Sequence, residues 1–191
     1  MKLRPVAFAF ALAALVTALV GLSRGSEGVT REAVAIPATL FPPPSGAPKA
    51  LVVVAHGFAG SQQMMAPLAT TLARDGYLAL TFDFAGHGRN PSPMPGGVKD
   101  MATSARALTA EVDAALDYAR MRPEFKGKLA LLGHSMASKL VVGAAMARSD
   151  VGALVALSLF GRDVTATNPN GHGRRLGALR SCATPPGASS A

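Results

Sequence analysis

The run Ala50-Leu-Val-Val-Val-Ala55 carries no polar side chain. A strand with one wet face alternates polar and apolar residues. An unbroken, β-branched run this short needs cover on both faces, as in a parallel sheet flanked by helices. Largely apolar runs recur at Tyr77–Phe82, Lys128–Leu132 and Val151–Phe160. Helical periodicity fills the gaps between them. Ala66–Asp75 reads as a helix closed by Gly76. Met101–Met121 places Leu108, Val112, Ala115 and Ala119 on one stripe, with Arg106, Glu111, Asp113 and Asp117 off it, and Pro123 and Gly127 follow as stop signals. Ser135–Ala147 reads as a third helix. Strands alternating with helices predict an α/β fold: a mostly parallel, doubly wound sheet with helices on both faces. Ala33–Phe41 is expected to form a strand of an opening hairpin. The proline-rich stretch after it, Phe41–Pro48, cannot serve a ladder and reads as a loop.

The chain has 191 residues, enough for one domain with a sizeable core. Its net charge of +8 invites a nucleic-acid reading, but the charge sits in the wrong place. Between Ala50 and Asn170 there are 11 Lys and Arg against 9 Asp and Glu, so the predicted folded part is nearly balanced. Aromatic residues are 5% and tryptophan is absent, which leaves no stacking platform. Nucleic acid is therefore not expected as a partner. The single Cys182 excludes an internal disulfide and a multi-cysteine metal site.

At the N-terminus, Lys2 and Arg4 precede the uncharged apolar run Pro5–Leu22. Its length sits at the border between a secretory signal core of about 7–15 residues and a spanning helix of about 17–25. Gly21-Leu22-Ser23-Arg24 is a poor cleavage site, which favours an uncleaved membrane anchor over a removed signal. The basic flank predicts that the chain beyond it is extracytoplasmic, with secretion after cleavage as the alternative. The expected organisation is an anchor at residues 1–23, a linker at 24–31, a partial α/β domain at 32–168 and a disordered tail at 169–191.

The chemically suggestive segment is Leu129-Ala-Leu-Leu-Gly-His-Ser-Met-Ala-Ser-Lys-Leu-Val-Val142. An apolar strand runs into a helix with Ser135 at the bend. A serine so placed protrudes, and the free N–H groups of the helix start lie nearby. Small neighbours are needed two residues before and after, because the strand and helix backbones nearly touch; Gly133 and Ala137 qualify. The plain alternative is an ordinary N-cap serine. Other titratable residues have modest readings as well. His56 and His87 are expected to shape their loops, His134 to point its ring away from the Ser135 hydroxyl, and Asp83 to cap backbone N–H groups. Met64 and Met65 are expected to pack within a helix. No nucleotide fingerprint follows the first apolar run, since His56-Gly-Phe-Ala-Gly-Ser61 is neither a dinucleotide loop nor a P-loop.

Three segments together resemble the α/β-hydrolase superfamily, in particular its lysophospholipase-like and peptidase-like esterase members. His56-Gly-Phe58 resembles the family's oxyanion loop, Asp83-Phe-Ala-Gly-His-Gly88 its D-x-x-G-H-G loop, and Gly133-His-Ser-Met-Ala137 its nucleophile elbow. The resemblance implies a serine hydrolase acting on small-molecule carboxylic esters or thioesters without cofactor or metal. It implies Ser135 as nucleophile and the backbone N–H groups of Phe58 and Met136 as the oxyanion hole. In this family the acid and the histidine follow the serine in the chain. Here Asp163 and His172 are the candidates, the latter on a Gly-His-Gly segment that does not hold a ring within hydrogen-bond reach. No strand-like run follows Phe160. The chain therefore reads as a truncated relative with an impaired triad, or an inactive one serving as a binding module.

Overall fold

The computed structural model describes residues 3–25, 27–33, 37–125, 127 and 129–158. In chain order the elements are α1 (Leu3–Gly25), β1 (Glu32–Ala33), β2 (Ala38–Phe41), β3 (Leu51–Ala55), α2 (Gln62–Arg74), β4 (Leu78–Phe82), α3 (Met101–Arg120), β5 (Leu129–His134), α4 (Met136–Ala147) and β6 (Val151–Leu157). The strands form one sheet in the order β1-β2-β4-β3-β5-β6. β1 and β2 are antiparallel, β2 is antiparallel to β4, and the remaining pairings are parallel.

β3 lies at the centre, with Val53 registered to Leu80 on one side and Leu131 on the other. All five of its residues are buried, as the unbroken apolar run required. Leu51, Val53 and Ala55 pack under α3 and α4, against Leu108, Val112, Leu116, Val141 and Ala144. Val52 and Val54 face the opposite way, beneath Met65, Leu68 and Leu72 of α2. Each fully buried Val or Leu contributes roughly 1.5–3 kcal/mol relative to exposure, so this two-sided burial fixes the layer order.

α2 begins at Gln62, four residues before the expected Ala66, and it carries Pro67 inside it. A long-range contact accounts for the early start: the Asp83 carboxylate accepts from both the backbone N–H and the side-chain amide of Gln62, each at 2.7 Å. Of the two methionines expected to pack, Met65 does so and Met64 stays exposed. α3 is capped by Asp100, which accepts from Thr103 N–H at 3.0 Å. Arg148 joins α3 to the turn before β6 through Asp117 at 2.8 Å and Asp150 at 2.9 Å.

The membrane span expected at the N-terminus is not borne out. Among the described residues no helix is long and apolar enough to cross a bilayer. The large apolar side chains of α1, Phe8 and Phe10 among them, remain exposed. The expected membrane partner likewise finds no support among the described residues.

Candidate active site

Three loops leave the C-terminal ends of β3, β4 and β5, and they meet. The loop after β5 bends sharply at Ser135, whose φ is 54° and ψ −115°. Only three non-glycine residues with positive φ occur among the described ones: Ala59 after β3, Ser135 after β5 and Ser158 after β6. Each follows a parallel strand at the same edge of the sheet, so the backbone strain is concentrated there.

The bend demands Gly133. A methyl there would lie 2.6 Å from both the Ala137 carbonyl oxygen and Val141 Cγ2. Ala137 itself is wholly buried in that contact. Ser135 occupies the N-cap position of α4, but its side chain makes no capping hydrogen bond, so the plain N-cap reading does not hold. The residue is half-buried and its hydroxyl has no hydrogen-bond partner among the described residues. Met136 follows as the first residue of α4, where backbone N–H groups lack intrahelical acceptors.

The loop after β3 lies directly against this bend. A methyl on Gly57 would be 3.1 Å from Ser135 Cβ and 3.1 Å from His134 Nδ1. The Gly57 carbonyl accepts from Gly60 N–H at 3.0 Å and sits 2.8 Å from His56 Nδ1. His56 Nε2 accepts from Phe84 N–H at 3.2 Å, so the proton is assigned to Nδ1, which donates to Gly57. Two donors thus hold the carbonyl of the Gly57–Phe58 peptide. In a trans peptide the N–H points opposite to the C=O, so the same pair aims the Phe58 N–H away from them. His56 is wholly inaccessible, and burial pushes its pKa below the usual histidine value. Its Nε2 also lies 4.0 Å from the Asp83 carboxylate, but a neutral ring whose Nε2 is already an acceptor forms no ion pair there. His56 is therefore a buried strut, as expected.

The loop after β4 is organised around Asp83. Its Oδ1 accepts from Gln62 N–H, and its Oδ2 from the Gln62 side chain and from Arg89 N–H at 3.0 Å. This carboxylate caps α2 in place of Ser61, which makes no side-chain cap, and its charge suits the helix N-terminus. Gly88, with φ 53°, has no room for a side chain, since a methyl would overlap the Asp83 carboxylate. His87 Nδ1 lies 3.0 Å from the Ala85 carbonyl, and Glu111 of α3 accepts from Ala85 N–H at 2.8 Å. Burial raises the Glu111 pKa. The His87 ring meets Phe58 edge-on at 5.6 Å, and Phe58 is itself exposed.

The structure therefore brings Ser135, Met136, Gly57 and Phe58 together and spends His56, His87 and Asp83 on loop architecture. His134 lies beside Gly57. The acid and base candidates, Asp163 and His172, lie outside the described residues. Sequence reasoning missed Gln62, Glu111 and Ser138. Ser138 alone left a trace, a polar residue on the otherwise apolar face of α4. Its hydroxyl contacts the Gly133 carbonyl at 3.0 Å and the Leu157 carbonyl at 2.5 Å.

The sheet order, the flanking helices and the strained bend after β5 define an α/β-hydrolase core. Within that class, the chain belongs to the serine aminopeptidase S33 family (Hydrolase_4), whose model matches residues 46–161. It is 32% identical over 121 residues to an uncharacterized Mycobacterium tuberculosis protein, Rv2307c, covering 63% of this chain and 40% of that one. Among solved structures, TT1662 from Thermus thermophilus shares 26% identity at a TM-score of 0.50, covering 61% of this chain and 52% of that one. Est1E from Butyrivibrio proteoclasticus, solved with ferulic acid bound, shares 24% identity at a TM-score of 0.54, covering 69% and 49%. The Pyrococcus furiosus esterase Pf2001 shares 19% identity at a TM-score of 0.55, covering 67% and 49%. The chain thus spans 40% of the length of the curated relatives it matches and about half the length of these structures.

Proposed function

We propose that this α/β-hydrolase uses Ser135 to cleave carboxylic esters, thioesters included. The observation that carries the reading is a serine at positive φ, lying beside a loop with a pinned carbonyl, whose hydroxyl has no hydrogen-bond partner among the described residues. In this mechanism Ser135 Oγ attacks the ester carbonyl carbon while its proton passes to a base. The former carbonyl oxygen takes the negative charge, within reach of the Phe58 and Met136 N–H groups. The tetrahedral intermediate collapses with loss of the alcohol, which receives the proton. Water then attacks the acyl-enzyme by the same route and releases the acid. One oxyanion donor is worth about 10²–10³ in rate, so the two amides are expected to dominate catalysis. The base and its acid come from outside the described residues, with His172 and Asp163 as the candidates within this chain.

A fluorophosphonate probe tests the assignment. Labelling that maps to Ser135 and is lost in Ser135→Ala supports it. A folded protein that stays unlabelled favours a second reading, a catalytically inactive binding module. The observation behind that reading is that no described residue hydrogen-bonds the Ser135 hydroxyl.

We also propose that the folded part acts outside the cytoplasm. The support is Lys2 and Arg4 ahead of an apolar helix whose large side chains stay exposed. Recovery of the expressed protein solely from the cytoplasmic fraction would count against export.

A further inference from the structure

We propose that Ser138 is a positioning residue, one that fastens the strained bend at Ser135 to the end of β6. This rests on the hydrolase reading for its functional meaning, though not for its geometry. Ser135 N–H donates to the Leu157 carbonyl at 2.8 Å, and Ser138 N–H donates to the Ser135 carbonyl at 2.9 Å. The Ser138 hydroxyl reaches the same Leu157 carbonyl at 2.5 Å and the Gly133 carbonyl at 3.0 Å. One side chain thus touches the last turn of β5, the end of β6 and, through its own backbone, the Ser135 peptide.

The Leu157 oxygen has two lone pairs, and these two donors use both. Ser158, at φ 57°, turns the chain immediately after it. Both backbone polar groups of Ser135 are therefore held, by Leu157 on one side and Ser138 on the other. A residue at φ 54° persists only where its surroundings over-determine it. Ser138 is wholly buried, and so is its contact with the Gly133 carbonyl. An alanine there would leave the backbone bonds of Ser135 and Ser138 in place but remove the hydroxyl's contacts with the Leu157 and Gly133 carbonyls. Ser138 thereby acts through Ser135 and Met136 without touching substrate.

The test uses the full chain and two readouts. In Ser138→Ala, amide hydrogen exchange at Ser135 is expected to accelerate about tenfold, the effect of one buried hydrogen bond, while Val53 and Val54 in β3 keep their rates. Fluorophosphonate labelling at saturating probe should slow, with the half-saturating probe concentration unchanged. Ser138→Thr, which keeps the hydroxyl, should restore both. Unchanged exchange at Ser135 overturns the proposal. So does equal acceleration at Ser135 and Val53, which is the mark of general destabilisation. If Ser138→Thr does not fold, the Ser138→Ala pattern alone decides. If wild type is never labelled, the hydrolase reading fails, while the exchange data still decide the role of Ser138.

Discussion

The loops after β4 and β5 both carry glycine-framed motifs, and they use their polar residue in opposite ways. Asp83 is wholly buried, with both carboxylate oxygens engaged by Gln62 and Arg89. Ser135 is half-buried, its backbone strained and its hydroxyl unengaged by any described residue. A buried polar group that is fully bonded holds structure together, and removing it costs stability. A polar group left free on a strained backbone costs stability to keep, and such a cost is characteristic of functional sites. His56 falls on the Asp83 side of this division, since both ring nitrogens are taken.

The largest expected effect separates the two loops cleanly. Ser135→Ala should reduce fluorophosphonate labelling to background with little change in melting temperature. Asp83→Ala should do the reverse to the fold. It strands two Gln62 donors and the Arg89 N–H, and at about 1–3 kcal/mol for each unsatisfied buried group the loss should exceed about 3 kcal/mol. Chemical denaturation reads this directly. Asp83→Asn should recover little, because one amide face presents donors to donors. If Asp83→Asn were as stable as wild type, the contrast drawn between the loops would be wrong.

Acid should weaken the structural side first through His56. Its folded pKa lies below the reference 6.5, chiefly because burial opposes the charged ring. At high pH it is neutral in both states and contributes no pH dependence. As pH falls through 6.5 the unfolded chain takes up a proton that the folded one resists, so stability declines from there downward. Glu111 has the opposite sign. Its raised pKa favours the folded state below 4.5 and is a cost once pH rises through the shifted value. His56→Gln isolates the first effect: the slope of stability between about pH 7 and pH 5 should flatten relative to wild type.

The sheet was legible because β3, β4 and β5 are buried on both faces, a constraint that local composition records directly. The early start of α2 was not, because Gln62 owes its helical position to a carboxylate 21 residues away. For the same reason the sequence exposed Ser135, Gly133 and Ala137 but hid Ser138. Small residues around a bend are a local requirement, whereas the Ser138 hydroxyl is explained by Leu157, a strand later. Nor does the apolar character of α1 separate an export signal from a span by itself. Among the described residues no helix is long and apolar enough for the latter.

The smallest expected effect is the most pointed. Glycine accepts positive φ without a side-chain clash, so Ser135→Gly should relieve the strain at this bend. The expected gain is about 1 kcal/mol, measured as a higher denaturation midpoint with unchanged slope. No comparable gain is available at Asp83, where every substitution removes bonds. Two outcomes would erase the distinction. If Ser135→Gly were destabilised, the hydroxyl would be serving the fold through some contact in the native protein. If Ser135→Ala, which keeps a Cβ, gained as much as Ser135→Gly, backbone strain would not be the source. A gain confined to glycine, with labelling lost in both variants, is what a strained nucleophile requires.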